Sequence, residues 1–213
     1  MTRAGGETAM TRAERARYLA ERYPAAREAL EFYGQVADFQ GDWRELRDLV
    51  KRIGPPILRE AAQRLTLERI EQEPDGFFAR VLARQDPPPA RTAVMNECPR
   101  CGHPPQCAAL RPEGDGSAFH LVCSLCRHQW PFPRALCTVC GEIDEERLVY
   151  YAIDGVTHIQ TRVCDGCGKY LHVIHLGKDP LAIPDVDEIA VLPMDVWAAE
   201  QGFEKIYPNL IGI

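Results

Sequence analysis

The chain has 213 residues, 46% hydrophobic and 26% charged, with a net charge of -6. This composition predicts a folded globular chain and excludes disordered and collagen-like classes. The acidic balance counts against sequence-independent nucleic-acid binding. Apolar runs of a few residues fall far short of the roughly 20 that a membrane helix needs, so no membrane insertion is expected. The opening MTRAGGETAM has no apolar signal region, which predicts a cytoplasmic protein with reduced thiols.

The N-terminal part reads as helices. Thr11 and Glu14 have capping-box spacing and open a helix through about Tyr23. Pro24 suits the first turn of a second helix to about Phe39, with Ala29, Phe32, Tyr33 and Val36 on its core face. Asp42 caps a third, carrying Trp43, Leu46, Leu49, Val50 and Ile53, until Gly54-Pro55-Pro56 stops it. Ile57, Ala61 and Leu65 suggest a fourth, and Phe77, Phe78, Val81 and Leu82 a fifth. These aromatic and aliphatic stripes read as bundle core, and no catalytic constellation accompanies them. With apolar stripes of their own and no ligand among them, the helices are expected to fold independently of any metal.

A Pro-rich run, Gln85-Asp86-Pro87-Pro88-Pro89-Ala90, then acts as a semi-rigid spacer. Composition switches across it. Residues 1–93 carry 16 Lys+Arg against 15 Asp+Glu; the remainder carries 9 against 16. All nine cysteines and all six histidines follow Glu97.

Eight cysteines form four C-x-x-C pairs: Cys98/Cys101, Cys123/Cys126, Cys137/Cys140 and Cys164/Cys167. Two intervening residues let one tight turn aim both sulfurs at one ion, and two such knuckles complete a tetrahedral four-cysteine site. The pairs are separated by 21, 10 and 23 residues. The long gaps hold hairpins and the short one a connector, so the sites are expected to pair in chain order. Two metal ions are expected, Zn or Fe, one per four-cysteine site, because thiolates suit both. Gly102, Gly141 and Gly168 follow the second cysteine of three pairs, where a left-handed backbone is easy for glycine; Arg127 stands at the fourth such position. Strands are predicted at Ala118–Val122, at Leu148–Ile153 and Val156–Val163 around an Asp154-Gly155 turn, and at 170–176. Cys107 is expected in a loop near the first site, as a buried thiol. His172 and His175 fall on opposite sides of a strand, and the histidines are expected to pack or face solvent.

The expected fold is α+β. A helical domain with its linker (1–93) precedes two small rubredoxin-like or zinc-ribbon modules (94–135 and 136–178) and a short C-terminal tail (179–213).

The segments CPRCGHPP (98–105), HLVCSLCRHQWPFPRALCTVCG (120–141) and CDGCGKYLHV (164–173) resemble the FdhE family of formate dehydrogenase accessory proteins. So does the tail, through Asp187–Ala190, Leu192-Pro193-Met194-Asp195 and Asn209-Leu210-Ile211-Gly212. His172 departs from the pattern, where a lysine is expected. The resemblance implies a cytoplasmic maturation factor, not an enzyme, that binds the molybdenum- or tungsten-containing catalytic subunit of formate dehydrogenase and carries metal, redox-active iron included, in two rubredoxin-like modules. No catalytic or organic-cofactor residues are expected.

Two other classes compete. A nucleic-acid-binding zinc ribbon is disfavoured by charge: four thiolates and a divalent ion add -2 per site, taking residues 94–213 from -7 to about -11. A rubredoxin-type electron-transfer protein is the other, although no G-x-G-x-x-G run follows a strand. In the bridge between modules, Trp130 and Arg134 are of types enriched at binding hot spots; equally, Trp130 packs between the ribbons and Arg134 neutralises thiolate charge. The oligomeric state is left open.

Overall fold

The computed structural model describes residues 10–41, 96–100, 102–125 and 127–209. The helices expected between Asp42 and Leu82, the Pro-rich spacer, Cys101 and Cys126 lie outside these residues.

Helix α1 spans Arg12–Arg22 and opens with the expected capping box: the Glu14 amide donates to the Thr11 hydroxyl at 3.2 Å, and the Thr11 amide donates to the Glu14 carboxylate at 2.8 Å. A 3-10 turn, Pro24–Ala26, leads into α2, Arg27–Gly41. The helices cross closely at Gly34, where an added Cβ would stand 3.7 Å from that of Ala16. Ala26, Leu30, Tyr33 and Gly34 are buried, whereas Phe32 is 54% exposed. The buried face of α2 runs through Leu30, Tyr33 and Gly34, where α1 crosses closely, and at about 100° per residue Phe32 points away from it, which corrects the expectation that Phe32 belongs to the core.

Two three-stranded antiparallel units follow. The first comprises β1 (Pro105–Glu113), β2 (Gly116–Cys123) and β3 (Gln129–Pro131); the second β4 (Leu148–Tyr151), β5 (Ile159–Cys164) and β6 (Lys169–His175). The expected turn forms at Gly155, whose φ is +84° and where the Val156 amide bonds the Ile153 carbonyl at 3.3 Å. Its flanking strands are shorter than expected, ending their pairing at Tyr151 and Thr161.

Both units belong to one sheet of order β3-β2-β1-β6-β5-β4. The joint is a parallel pairing of Ala108, Ala109 and Leu110 with Val173, Ile174 and His175. The two cysteine-bearing segments are therefore fused edge to edge. The short strand β7 (Glu204–Lys205) pairs with Lys169 and Tyr170 at the other end of β6. Cys107 lies in β1, not in a loop, and is wholly buried. Desolvation pushes its thiol well above the ordinary value, with the negative charge of Glu188 adding to it, so it is an inert core residue.

The sheet is buried on both faces. Alternation places Ala108, Leu110, Phe119, Leu121, Trp130 and Val173 in one core. Cys107, Ala109, Val122 and Ile174 turn to the other, against Leu19, Leu30 and Tyr33 of the helices and Val186 and Ile189 of the tail. The described helices thus share a core with the sheet, contrary to the expectation that they stand apart. The tail forms α3 (Pro184–Asp187), a 3-10 turn (Glu188–Val191) and α4 (Leu192–Glu200).

Charged side chains fasten these layers. Arg15 on α1 is 1% exposed; its Nε donates to Asp187 at 2.9 Å and its Nη2 to Asp179 at 2.5 Å. His158 reaches the same Asp187 at 2.8 Å. Asp185, at the start of α3, accepts from the Tyr33 hydroxyl at 3.1 Å and meets Arg12 at 3.2 Å and Arg127 at 3.8 Å. His172, fully buried, bonds Asp195 at 2.8 Å, with Lys205 3.1 Å from the same oxygen. His172 and His175 do point apart, the latter being half-buried against Gln160.

Candidate metal centre

Each C-x-x-C pair begins a knuckle of the same backbone form. The residue after each second cysteine has a left-handed φ: +74° at Gly102, +55° at Arg127, +77° at Gly141 and +69° at Gly168. Its amide donates to the carbonyl of the first cysteine, at 2.9, 3.2, 3.3 and 2.8 Å respectively. Inside the turn, the amides of Arg100, Leu125 and Val139 point at Sγ of Cys98, Cys123 and Cys137, each at 3.4 Å. The Gly166 amide does the same for Cys164. These donors stabilise thiolates, so the chain builds four anion-favouring turns. Arg127 departs in residue type and not in conformation.

The third and fourth knuckles converge. Ligand atoms of Cys137, Cys140, Cys164 and Cys167 all lie within 4.8 Å of one another. Sulfurs of Cys137 and Cys167 are 3.8 Å apart, and those of Cys140 and Cys164 are 3.7 Å apart. Four sulfurs about 2.3 Å from one ion at tetrahedral angles stand roughly 3.8 Å from each other. The residues therefore fit a single thiophilic ion, Zn or Fe. The strands explain the convergence: β5 ends at Cys164, and Leu148, which opens β4, is its cross-strand partner. A Cβ at Gly166 would stand 3.1 Å from the Glu142 carboxylate and 3.4 Å from the Cys164 sulfur, so the space there is tight and glycine leaves both groups in place.

Burial and neighbouring thiols shape the acidities. Burial raises Cys164, and pushes Cys167 up to about 12. At Cys137 burial is outweighed by amides of Cys140 and Val139, which hold its thiol below the ordinary value. The Cys137 thiolate is thus favoured in advance, whereas Cys164 and Cys167 must release protons to an arriving ion. Exposure is unequal: Cys137 and Cys164 are buried, Cys167 is half-buried and Cys140 is exposed.

The first and second knuckles lie side by side. Pro105 pairs with Cys123, the Ser124 amide bonds the Pro104 carbonyl at 3.2 Å, and Cys98 and Cys123 share one buried cluster. Their partners Cys101 and Cys126 are outside the described residues.

Trp130 is 4% exposed inside the core, so its role is packing. Arg134 is exposed, with its guanidinium 5.6 Å from the centre of the Tyr150 ring. Among the arginines near the second thiol set is Arg162, which lines a small cleft with Cys137, Thr138 and Cys164. The one signal for it is spacing: two positions before Cys164 on a strand places both side chains on one face.

Fold and site together define a tandem cysteine-knuckle protein, two fused knuckle units capped by helices. The sequence matches two family models, "FdhE, central domain" over residues 97–134 and "FdhE, C-terminal domain" over residues 136–211, together more than half of the chain. Similar proteins include an FdhE homolog of Aquifex aeolicus, 37% identical over 119 residues, which are 55% of this chain and 42% of that protein. An FdhE homolog of Haemophilus ducreyi is 30% identical over 161 residues, or 70% and 52% of the two chains. The matched region spans about half the length of such relatives, or less. The crystal structure of the FdhE protein from Pseudomonas aeruginosa superposes with a TM-score of 0.65 over 94% of both chains at 20% identity, which shows the shared α+β fold. The chain belongs to the FdhE family.

Among the described residues, no helix is long and apolar enough to cross a membrane.

Proposed function

We propose that this chain is a metal-binding accessory factor in the maturation of formate dehydrogenase, acting in the cytoplasm by docking on the enzyme's catalytic subunit and catalysing no reaction of its own. Both cysteine sets take part: Cys98, Cys101, Cys123 and Cys126 in the first, Cys137, Cys140, Cys164 and Cys167 in the second, each holding one ion. The observation that carries the reading is the near-tetrahedral spacing of the second set, repeated in backbone form by the described knuckles of the first. When bound, zinc would clamp two knuckles into a fixed scaffold, and iron would add a one-electron redox change. The chain's own part is to present four sulfurs, direct amides at them, and hold the two units at a fixed angle through the β1–β6 joint.

A protein partner is supported by the surface of the second site. Val139 is 44% and Ile143 72% exposed, beside the exposed Cys140. Asp144, Glu145 and Glu146, which follow Ile143 in the chain, and Asp165, next to Cys164, are exposed acidic side chains, which disfavours a phosphate backbone as the ligand. The exposure of Cys140 favours one second reading, rubredoxin-type electron transfer, because a surface ligand shortens the path to a redox partner.

Anaerobic purification with elemental analysis tests the metal content, expected at two ions per chain. Visible absorption separates ferric iron from colourless zinc. A pull-down with the catalytic subunit, comparing wild type with Arg134→Ala at equal metal content, tests the docking. Absence of binding by the metal-replete wild type refutes the accessory reading.

A further inference from the structure

Arg162 is 4% exposed on β5. A buried guanidinium normally faces a carboxylate, because an uncompensated charge in the interior is costly. Arg15 follows that rule with Asp187 and Asp179. Arg162 does not: no carboxylate pairs with it among the described residues, and its Nη1 nitrogen is buried without a hydrogen-bond partner. Its Nη2 donates to the Leu136 carbonyl, and its guanidinium stands 5.3 Å from the centre of the Phe119 ring. Neither contact supplies a negative charge.

The group that can supply it lines the same cleft. Arg162 lies on the same face of β5 as Cys164 and lines a cleft with Cys137 and Cys164. Four thiolates around a divalent ion leave a net charge of about -2 at that point. We propose that Arg162 is the built-in counter-charge of the second four-cysteine site, a positioning residue whose buried cation favours the more anionic, metal-loaded state. This rests on the proposed metal binding by the second set. With zinc bound, the arginine raises retention. With iron bound, it favours the ferrous site, which carries one more negative charge than the ferric one, and so raises the reduction potential.

The test uses the full-length chain with Cys98→Ser and Cys123→Ser, so that zinc is read at the second site alone, by competition with a chelator. Arg162→Met is expected to weaken zinc binding about tenfold, and Arg162→Lys, which keeps the charge, to stay within about threefold. Iron-loaded Arg162→Met is expected to have a reduction potential lower by roughly 60 mV, the one-electron equivalent of tenfold. A Cys137→Ser/Cys164→Ser chain reports the first site, where Arg162→Met is expected to change zinc binding less than twofold. Equal weakening of both sites, or Lys no better than Met, assigns Arg162 a purely structural role and overturns the proposal. Should Arg162→Met not fold, Arg162→Gln against Arg162→Lys decides in the same way. A parent chain that takes up no zinc at the second site refutes the metal reading itself; zinc binding that ignores Arg162 refutes only the counter-charge.

Discussion

Replacing Arg15 with methionine isolates the fastening of the helices to the tail. The substitution keeps an apolar stem and removes a guanidinium that is 1% exposed. Asp187, with no exposed surface, loses bonds from two nitrogens of Arg15, and Asp179 loses one. Asp187 keeps His158 at 2.8 Å and the Ile183 amide at 2.8 Å. Breaking a buried pair by removing one partner costs about 3–5 kcal/mol. The two surviving donors place the expected loss at the lower end, about 3 kcal/mol. At a urea slope of about 2–3 kcal/mol per molar, the midpoint drops by about 1–1.5 M. Urea unfolding of the metal-loaded full chain, followed by helical circular dichroism, reads this directly. The double variant Arg15→Met/Asp187→Asn removes both charges and is expected to lose less than Arg15→Met alone. A single-variant loss below about 1 kcal/mol, or a double variant that is simply additive, would refute the reasoning.

Arg127→Gly removes a strained side chain from a left-handed position while deleting the contact with Asp185. Zinc affinity at the first site should hold or rise, and hydrogen exchange in α1 and α2 should speed up; unchanged exchange would show that Arg127 does not secure the helices. Because burial raises Cys164 and Cys167, zinc uptake at the second site should release protons and strengthen as pH rises from about 6 to about 8, measured by chelator competition in weak buffer. A flat profile would contradict those protonated thiols. His175 is lowered to about 4 by partial burial and by the charges of Lys178, Arg134 and His158. The unfolded chain, with an ordinary histidine near 6.5, binds that proton more readily, so the contribution is intact above about 6.5 and declines as pH falls toward 4. His175→Gln should flatten the decline of melting temperature between about pH 7 and pH 5, and an unaltered slope would exclude it.

What was readable in the sequence was local. The Thr11–Glu14 cap, the glycines after the cysteine pairs and the strand ending at Cys164 each depend on residues a few positions apart. Strand β1 was hidden because it begins at Pro105 and contains Pro112, residues that weaken any strand pattern. The β1–β6 joint is long-range and parallel, and nothing in either strand's own pattern names its neighbour. Arg15, Asp187, Glu188 and Asp195 look like solvated charges in the sequence, yet all are buried, because Arg15 meets Asp187, and Lys205 meets Glu188 and Asp195, only after distant segments come together. Trp130 carried a correct hydrophobic signal that spacing alone could not assign to core or surface.

The joint between units also orders events in time. Each knuckle closes over four residues, and each three-stranded unit over some tens, so both form from nearby contacts. Ala108 must find Val173 across most of the intervening chain, and that pairing becomes favourable only when both strands are already shaped. Strand β6 emerges directly from the fourth knuckle, and the backbone entering β1 from the first. Closure of the knuckles, with any ion they take up, is then expected early and fusion of the sheet late. Until fusion occurs, the edges of β1 and β6 stand open, so a newly made chain starved of metal would spend longer with two unpaired strands able to join those of other molecules.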